Sequence, residues 1–195
     1  MNAISNKDHA MPQADEQELD SLIDFTLHLA DNTLIIAQRN AAWCGHGPIL
    51  EQDIALTNIS LDLLGQARSF YQYAAELINA NACTHLKYTS FIQHKTVSED
   101  TLAYLRTERE FKNCLLTEQP NGDWAKTILR QLFFSCYQYY FYTELQQSEN
   151  SRFAALAVKS LTEVSYHLRW SSEWVIRLGD GTGESRKRLS VALEE

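Results

Sequence analysis

The stretch LDSLIDFTLHLADNTLIIAQRNAAW (residues 19–43) decides the fold class. Its apolar residues recur at intervals of three and four, which is the spacing of a helix with one buried face. They are Leu22, Ile23, Leu27, Leu29, Ala30, Leu34 and Ile36. The stretch contains neither glycine nor proline, so the pattern predicts one uninterrupted helix that ends before Gly45-His46-Gly47-Pro48.

The rest of the chain repeats this behaviour. Further helices are predicted over residues 50–80, 99–118, 124–147 and 151–178, and from 184 onward. In the second helix the side chains predicted to point inward are Ile54, Ile59, Leu61, Leu64 and Ala67. Because no alternating strand pattern competes and the connections are short, an all-α antiparallel helical bundle is the predicted fold.

Composition limits the function classes. The 195 residues suit one helical domain, predicted over 19–195 after a flexible polar leader at 1–18. The net charge of -8 leaves no basic footprint, so nucleic-acid binding is not expected. No apolar run is long enough for a membrane span, and the polar leader lacks an apolar signal core. The four cysteines show no metal-ligand spacing, which predicts buried, reduced thiols in a cytoplasmic protein.

The most apolar helix contains LFFSCYQYYFYTEL (132–145). A helix that is apolar on all sides is normally buried in the core. Tyrosine is also enriched at protein interfaces, so the same helix would suit a position shared between the core and a partner surface. Aromatic content does not separate these two interpretations.

Two charged motifs are ambiguous. TEVSYHLRW (162–170) sits in a predicted helix, but a carboxylate-bridged metal pair uses Glu-x-x-His, and the residue three before His167 is Val164. Glu163 lies four residues before His167, which predicts a contact between the two side chains on one helix face. The mixed charges of residues 106–110 predict a solvated helix face, with pairing of Arg106 or Arg109 to a partner as the alternative.

Three stretches together resemble the PaaA/PaaC family of phenylacetyl-CoA epoxidase subunits, and within it the C type. They are WCGHGPILEQDIALTNISLDLLGQAR (43–68), RTEREFKNCLLTEQPNGDWAKTILRQ (106–131) and EVSYHLRWSSEWVIRLGDGT (163–182). The resemblance implies a ferritin-like helical bundle. It also implies a complex in which a related A-type subunit holds a di-iron centre and epoxidises the ring of phenylacetyl-CoA, with electrons from a separate reductase subunit.

The same resemblance implies that the metal-ligand positions of the A-type subunit are degenerate in this chain. They correspond to Thr33, Leu63, Gln66, Ser135, Val164 and His167, of which only His167 retains a ligand. Leucine and valine cannot balance the charge of two iron ions. The implied role is a non-catalytic structural subunit with no cofactor of its own, partnered with the di-iron A-type subunit and the other epoxidase subunits.

Two other functions stay open at this stage: a di-iron oxygenase with rearranged ligands, and a stand-alone helical interaction module. Contact with phenylacetyl-CoA is expected to be only indirect. Lys126, Arg130 and Arg169 are cations that could reach the CoA phosphates, although nothing in their spacing requires it. Compared with the family pattern, residues 79–97 form an insertion and the chain is expected to be truncated at its C-terminus.

Overall fold

The computed structural model describes residues 13–81 and 96–194. Five long helices are α1 (Gln13–Ala41), α2 (Leu50–Ala80), α5 (Trp124–Leu145), α6 (Ser151–Asp180) and α7 (Gly183–Glu194). Two short helices, α3 (Glu99–Tyr104) and α4 (Leu115–Glu118), flank a 3-10 turn at Glu108–Glu110. Within the described residues there is no β-strand, which confirms the all-α prediction.

Helix boundaries follow local chemistry. Asp123 accepts a hydrogen bond from the backbone N–H of Lys126 and caps α5, and Asn150 caps α6 in the same way. Gly122 adopts a φ of 58°, which a residue with a side chain rarely takes, so the Asn-Gly pair turns the chain just before α5.

The four longest helices form the bundle. α1 packs along α2, α5 packs along α6, and α2 joins the two pairs through α6. Two apolar clusters fill the interior, one around Phe70, Tyr142 and Phe153, and the other around Leu63, Phe134 and Trp170. Along α2, α5 and α6, buried polar side chains lie between the members of the two clusters.

All four tryptophans lie at one end of the bundle. Trp124 makes edge-to-face ring contacts with Trp43, Trp170 and Trp174, at centroid distances of 5.3, 6.1 and 5.5 Å. The indole N–H groups of Trp170 and Trp174 both donate to Gln52 Oε1, at 3.1 and 2.7 Å. The cluster therefore ties the start of α2 to α5 and α6.

The predicted helix over residues 99–118 is wrong. α3 ends at Tyr104, and residues 105–114 run mostly without helical structure across α1. The backbone N–H of Lys112 donates to Asp31 Oδ2 at 2.8 Å, and that of Cys114 donates to Asn32 Oδ1 at 2.7 Å. These tertiary hydrogen bonds replace the intrahelical bonds that local propensity favours.

The inward face of α2 is only partly as predicted. Ile59 and Ala67 are buried, but Ile54, Leu61 and Leu64 are exposed. Periodicity identifies which residues share a face, but an apolar face does not reveal whether its own chain covers it.

Two predicted segments, the leader at 1–18 and the insertion at 79–97, lie only partly within the described residues. α1 begins at Gln13, so residues 13–18 of the predicted leader are helical, and residues 1–12 lie outside the described part. The predicted insertion at 79–97 lies mostly outside it as well, because only residues 79–81 and 96–97 are described.

The aromatic helix α5 combines both interpretations. Phe134 and Tyr142 are buried in the two clusters, whereas Phe133, Tyr137 and Tyr140 are exposed on one side of the helix. The helix therefore contributes to the core and also presents an aromatic stripe at the surface.

The expectation of buried thiols is wrong for Cys44, which is exposed in the turn after α1. Cys114 and Cys136 are free and partly buried. Cys83 lies outside the described residues.

Candidate functional site: a neutral polar core between the helices

The six positions that the resemblance matches to metal ligands all lie inside the bundle. Each of their side chains is buried, and together they come from α1, α2, α5 and α6: Thr33, Leu63, Gln66, Ser135, Val164 and His167. Hydrogen bonds centred on Gln66 join three of these helices. Thr33 makes no such link, since its hydroxyl donates to the carbonyls of Leu29 and Ala30 on its own helix.

The polar atoms of Gln66 and Ser135 are already engaged. Gln66 Nε2 donates to Glu163 Oε2 at 2.8 Å, and Gln66 Oε1 accepts from Gln138 Nε2 at 3.1 Å. Ser135 Oγ accepts from Gln131 Nε2 at 2.8 Å. Apart from the Glu163 carboxylate these are amide and hydroxyl groups, so the centre of this region is polar and its charge lies at the edge.

His167 does not contact Glu163 as the four-residue spacing predicts. Its Nε2 lies 3.0 Å from Asp62 Oδ2 on α2, while Glu163 binds Gln66 on the same helix. Both side chains of α6 face α2, so each binds a residue of α2 rather than the other. The Nδ1 atom of His167 is buried, with no hydrogen-bond partner among the described residues.

These residues do not fit a di-iron centre. Such a centre needs several carboxylate oxygens to bridge the metals and balance their charge, but Leu63 and Val164, both 0% exposed, present only carbon at two of the positions. Asp62 and Glu163 line a cavity of about 120 Å³ between α2 and α6. Within the described residues, no three histidine, cysteine, aspartate or glutamate side chains are placed to bind one metal ion.

Sequence reasoning missed a buried charged cluster on the other side of α1. Arg106 makes a two-pronged ion pair with Asp31, its Nη1 lying 3.0 Å from Oδ2 and its Nη2 contacting Oδ1. Tyr71 donates to Asp31 Oδ1 at 2.6 Å, and all three side chains are buried. The prediction that Arg106 belongs to a solvated face is therefore wrong.

This Asp31–Arg106–Tyr71 cluster fixes the irregular segment after α3. Arg106 also donates to the carbonyls of Leu102 and Glu110, and its guanidinium lies 4.4 Å from the ring centre of Phe111. A single buried arginine thus determines the path of residues 102–111. The only signal in the sequence was that this arginine opens one of the three motifs that carry the family resemblance.

Burial and neighbouring charges raise the pKa values of both Tyr71 and Arg106 in this cluster. Burial and the adjacent Asp31 carboxylate raise the pKa of Tyr71 far above its ordinary value. Burial alone would lower the pKa of Arg106, but the contact with Asp31 outweighs it and the pKa is raised. The cluster therefore keeps its ion pair and its phenol hydrogen bond through the neutral pH range.

Arg130 is a second buried arginine with different partners. Its guanidinium donates to Gln119 O at 2.7 Å, to Asn121 Oδ1 at 2.8 Å and to Asn40 Oδ1 at 3.1 Å, all uncharged acceptors. Burial and the nearby Arg39 lower the pKa of Arg130 to about 10. Since it is 3% exposed, it does not project toward a ligand at the surface, in contrast to the sequence expectation.

The architecture is that of the carboxylate-bridged metal bundles, with a polar core in which residues 13–81 and 96–194 form no cluster of metal-binding side chains. The chain belongs to the family described as phenylacetic acid catabolic protein, whose family model matches residues 1–195, and its fold is the ferritin-like bundle of that family. This confirms the resemblance seen in the sequence motifs.

A curated relative gives a more specific comparison. The chain is 44% identical over 177 residues to the C-type subunit of the 1,2-phenylacetyl-CoA epoxidase of Escherichia coli (strain K12). The match covers 91% of this chain and 65% of the relative, so the chain spans slightly less than two thirds of that protein's length. Among the described residues, no helix is both long enough and apolar enough to cross a membrane.

Proposed function

We propose that this chain is the non-catalytic C-type subunit of a phenylacetyl-CoA epoxidase that acts in aerobic phenylacetate breakdown. It supports a separate di-iron catalytic subunit of the same ferritin-like family and has no metal centre of its own. The other epoxidase subunits complete the assembly, which we place in the cytoplasm. Phenylacetyl-CoA meets this chain only indirectly, through the catalytic subunit.

One observation carries the proposal. At the core positions that correspond to the ligands of the catalytic subunit, Leu63 and Val164 are fully buried and present only carbon atoms. The polar contacts nearby are largely between neutral groups, as between Gln66 and Gln138, and the carboxylates Asp62 and Glu163 each contact a single side chain of the region. Two buried iron ions would have too little negative charge around them, and burying uncompensated charge is prohibitively costly. The 44%-identical relative is itself named as the C-type subunit of an epoxidase, which agrees with this division of labour.

Iron analysis tests the proposal. The chain is expressed in iron-replete cells, once alone and once together with a cognate di-iron catalytic subunit, and iron is measured per protein chain after purification. We expect negligible iron in the chain alone and about two irons per co-purified pair, because only the partner supplies the carboxylate ligands. The catalytic subunit expressed alone is the positive control for iron loading.

Close to two irons in the isolated chain would contradict the proposal and favour an oxygenase with rearranged ligands. Failure of the two chains to co-purify would contradict it in a different way, because a supporting subunit must bind the subunit it supports. Substitution Val164→Leu, which enlarges the carbon surface at one ligand position, must leave the iron content of the pair unchanged.

A further inference from the structure

The outer face of α2 is unusually apolar for a surface. Four large apolar side chains, Leu50, Ile54, Leu61 and Leu64, follow one another along the exposed side of the helix, and Tyr104 and Leu105 extend the row at the end of α3. These six side chains are between 44% and 72% exposed. We call them the α2 outer face. Contiguous exposed apolar surface with a polar border is typical of an interaction site.

A cavity lies within this face. It has a volume of about 230 Å³ between α1, α2 and α3, and Leu64 and Tyr104 form part of its wall. Tyr71, held by Asp31 and Arg106, lines the cavity from below. Because that cluster is buried and fully hydrogen-bonded, the cavity has a fixed wall and can accept one leucine-sized or phenylalanine-sized side chain from outside.

Charge distinguishes between possible occupants of the face. Glu99 and Asp100 line the cavity, and Glu51 adjoins Leu50 at the start of α2. Arg68 is the single basic side chain among residues 50–68 and 99–105, and Lys159 of α6 lies near Leu61 at the edge where Asp62 contacts His167. Arg68 is already paired with Glu99, at 3.3 Å. A second copy would place two acidic borders together, in a chain whose net charge is -8. A different protein with lysine or arginine around an apolar ridge matches both features.

We propose that the α2 outer face docks an amphipathic helix of a different protein, whose apolar side chain enters the cavity beside Leu64 and whose basic residues meet the acidic border. This inference rests on the proposed function, because the di-iron catalytic subunit is the partner that the proposed function provides. The mode of binding is a helix laid into an apolar groove.

The direct test compares two double variants of this chain in their binding to the catalytic subunit. Leu61→Lys with Leu64→Lys places two charges at the centre of the α2 outer face. Val158→Lys with Ile176→Lys is the matched control, because these residues are also exposed and apolar but lie on α6. Dissociation constants for the purified catalytic subunit are measured by titration calorimetry, and circular dichroism confirms that each variant keeps its helix content.

We expect the α2 variant to bind at least about 30-fold more weakly, since buried apolar contacts dominate interface energies. The α6 control is expected to change the dissociation constant by less than about 3-fold. Equal binding by the α2 variant and the unmodified chain would overturn the inference while leaving the proposed function intact. No binding by the unmodified chain would overturn both.

The charge of the border is tested separately. Glu51→Lys with Asp100→Lys should slow association with the catalytic subunit by about 3- to 10-fold at low salt, and the difference should shrink as salt is added. Unchanged or faster association would overturn the basic-partner part of the inference. The other possible occupant is a second copy of this chain, and sedimentation of the unmodified chain alone tests for it. If the chain self-associates and Leu61→Lys with Leu64→Lys abolishes the self-association, the face binds a second copy and the inference is overturned.

Discussion

The bundle contains two buried polar regions whose polar groups are stabilised in different ways, one by an ion pair and the other by contacts between amides. The Asp31–Arg106–Tyr71 cluster concentrates charge, and its ion pair is completed by hydrogen bonds to backbone and phenol groups. The region around Gln66 and Gln138 instead uses amides that bind each other, with charge only at its edge. The first region joins helices to an irregular segment, and the second joins helices to helices.

The difference shows what each region can tolerate. A buried ion pair is strongly destabilised when one partner is removed, because the other charge stays buried without compensation. A neutral amide network loses only individual hydrogen bonds, each of modest net value. The region around Gln66 and Gln138 is therefore the more replaceable of the two. We expect substitutions in the charged cluster to be the more damaging to the fold.

The largest effect is expected for Arg106→Ala. Removing the guanidinium leaves the Asp31 carboxylate buried, so the free energy of unfolding should fall by about 3–5 kcal/mol. Urea denaturation followed by circular dichroism measures it. Arg109→Ala, at an exposed position three residues away, is the control and should change stability by less than about 0.5 kcal/mol. A similar small loss for both variants would mean that the ion pair contributes little.

An intermediate effect on the free energy of unfolding is expected at alkaline pH, because each of the two regions contains one buried tyrosine. Burial raises the pKa of both Tyr71 and Tyr142 above the ordinary value. Above about pH 10 an unfolded tyrosine loses its proton while the folded one keeps it, so the folded state binds more protons. The free energy of unfolding should therefore fall as pH rises above 10, by up to about 1.4 kcal/mol per pH unit for each tyrosine.

Denaturation between pH 8 and 12 of the single variants Tyr71→Phe and Tyr142→Phe measures the two contributions. Each variant should weaken the alkaline loss of stability, since phenylalanine has no proton to lose. Arg130 acts in the opposite direction, because its folded pKa of about 10 lies below its unfolded value, so it releases its proton first on the folded side. An alkaline slope that neither variant alters would show that the two phenols ionise freely in the fold.

The smallest effect is expected for Gln138→Leu in the neutral region. Gln138 Oε1 is buried with no partner among the described residues, so leucine removes an unsatisfied acceptor while also removing the donor to Gln66 and Tyr142. These changes oppose each other, and stability should change by less than about 1 kcal/mol. Gln131→Leu is the matched control two turns earlier on α5.

Both ends of the Gln131 amide are used, by Asn40 and by Ser135. In each variant two buried groups lose a partner, but only Gln138→Leu also removes an unsatisfied acceptor, so the replacement of Gln131 should cost about 2 kcal/mol more than that of Gln138. A larger loss for Gln138→Leu than for Gln131→Leu would indicate that the Gln66 contact is the key link of the neutral region. Thermal denaturation of the two variants side by side gives the comparison.

The long helices were predictable because their signals are local. α2 runs from Leu50 to Ala80 as predicted, since the Gly45–Pro48 segment separates it from α1 and the apolar spacing continues without a break. The helix predicted over 99–118 is wrong because Arg106 and the backbone of Lys112 find better partners on α1. Those partners are about 75 to 80 residues distant in sequence, which no local pattern reveals.

The candidate site was predictable in its positions but not in its contacts. The family resemblance identified positions such as Leu63, Val164 and His167, all of which are buried in the bundle. The pairing of His167 with Asp62 was not predicted, because helical spacing describes neighbours on one helix and not those across an interface. That these positions are degenerate ligand sites stays a prediction until iron is measured.

The gathering of all four tryptophans at one end of the bundle has a practical consequence for optical measurements. Indole fluorescence from this protein reports the surroundings of Trp124 and its three neighbours, and says little about the opposite end, where Phe70 and Phe153 pack. Because Gln52 connects two of these indoles to the first turn of α2, the signal also reaches the beginning of the α2 outer face. The protein thus carries an intrinsic, label-free probe of one end of its longest helix.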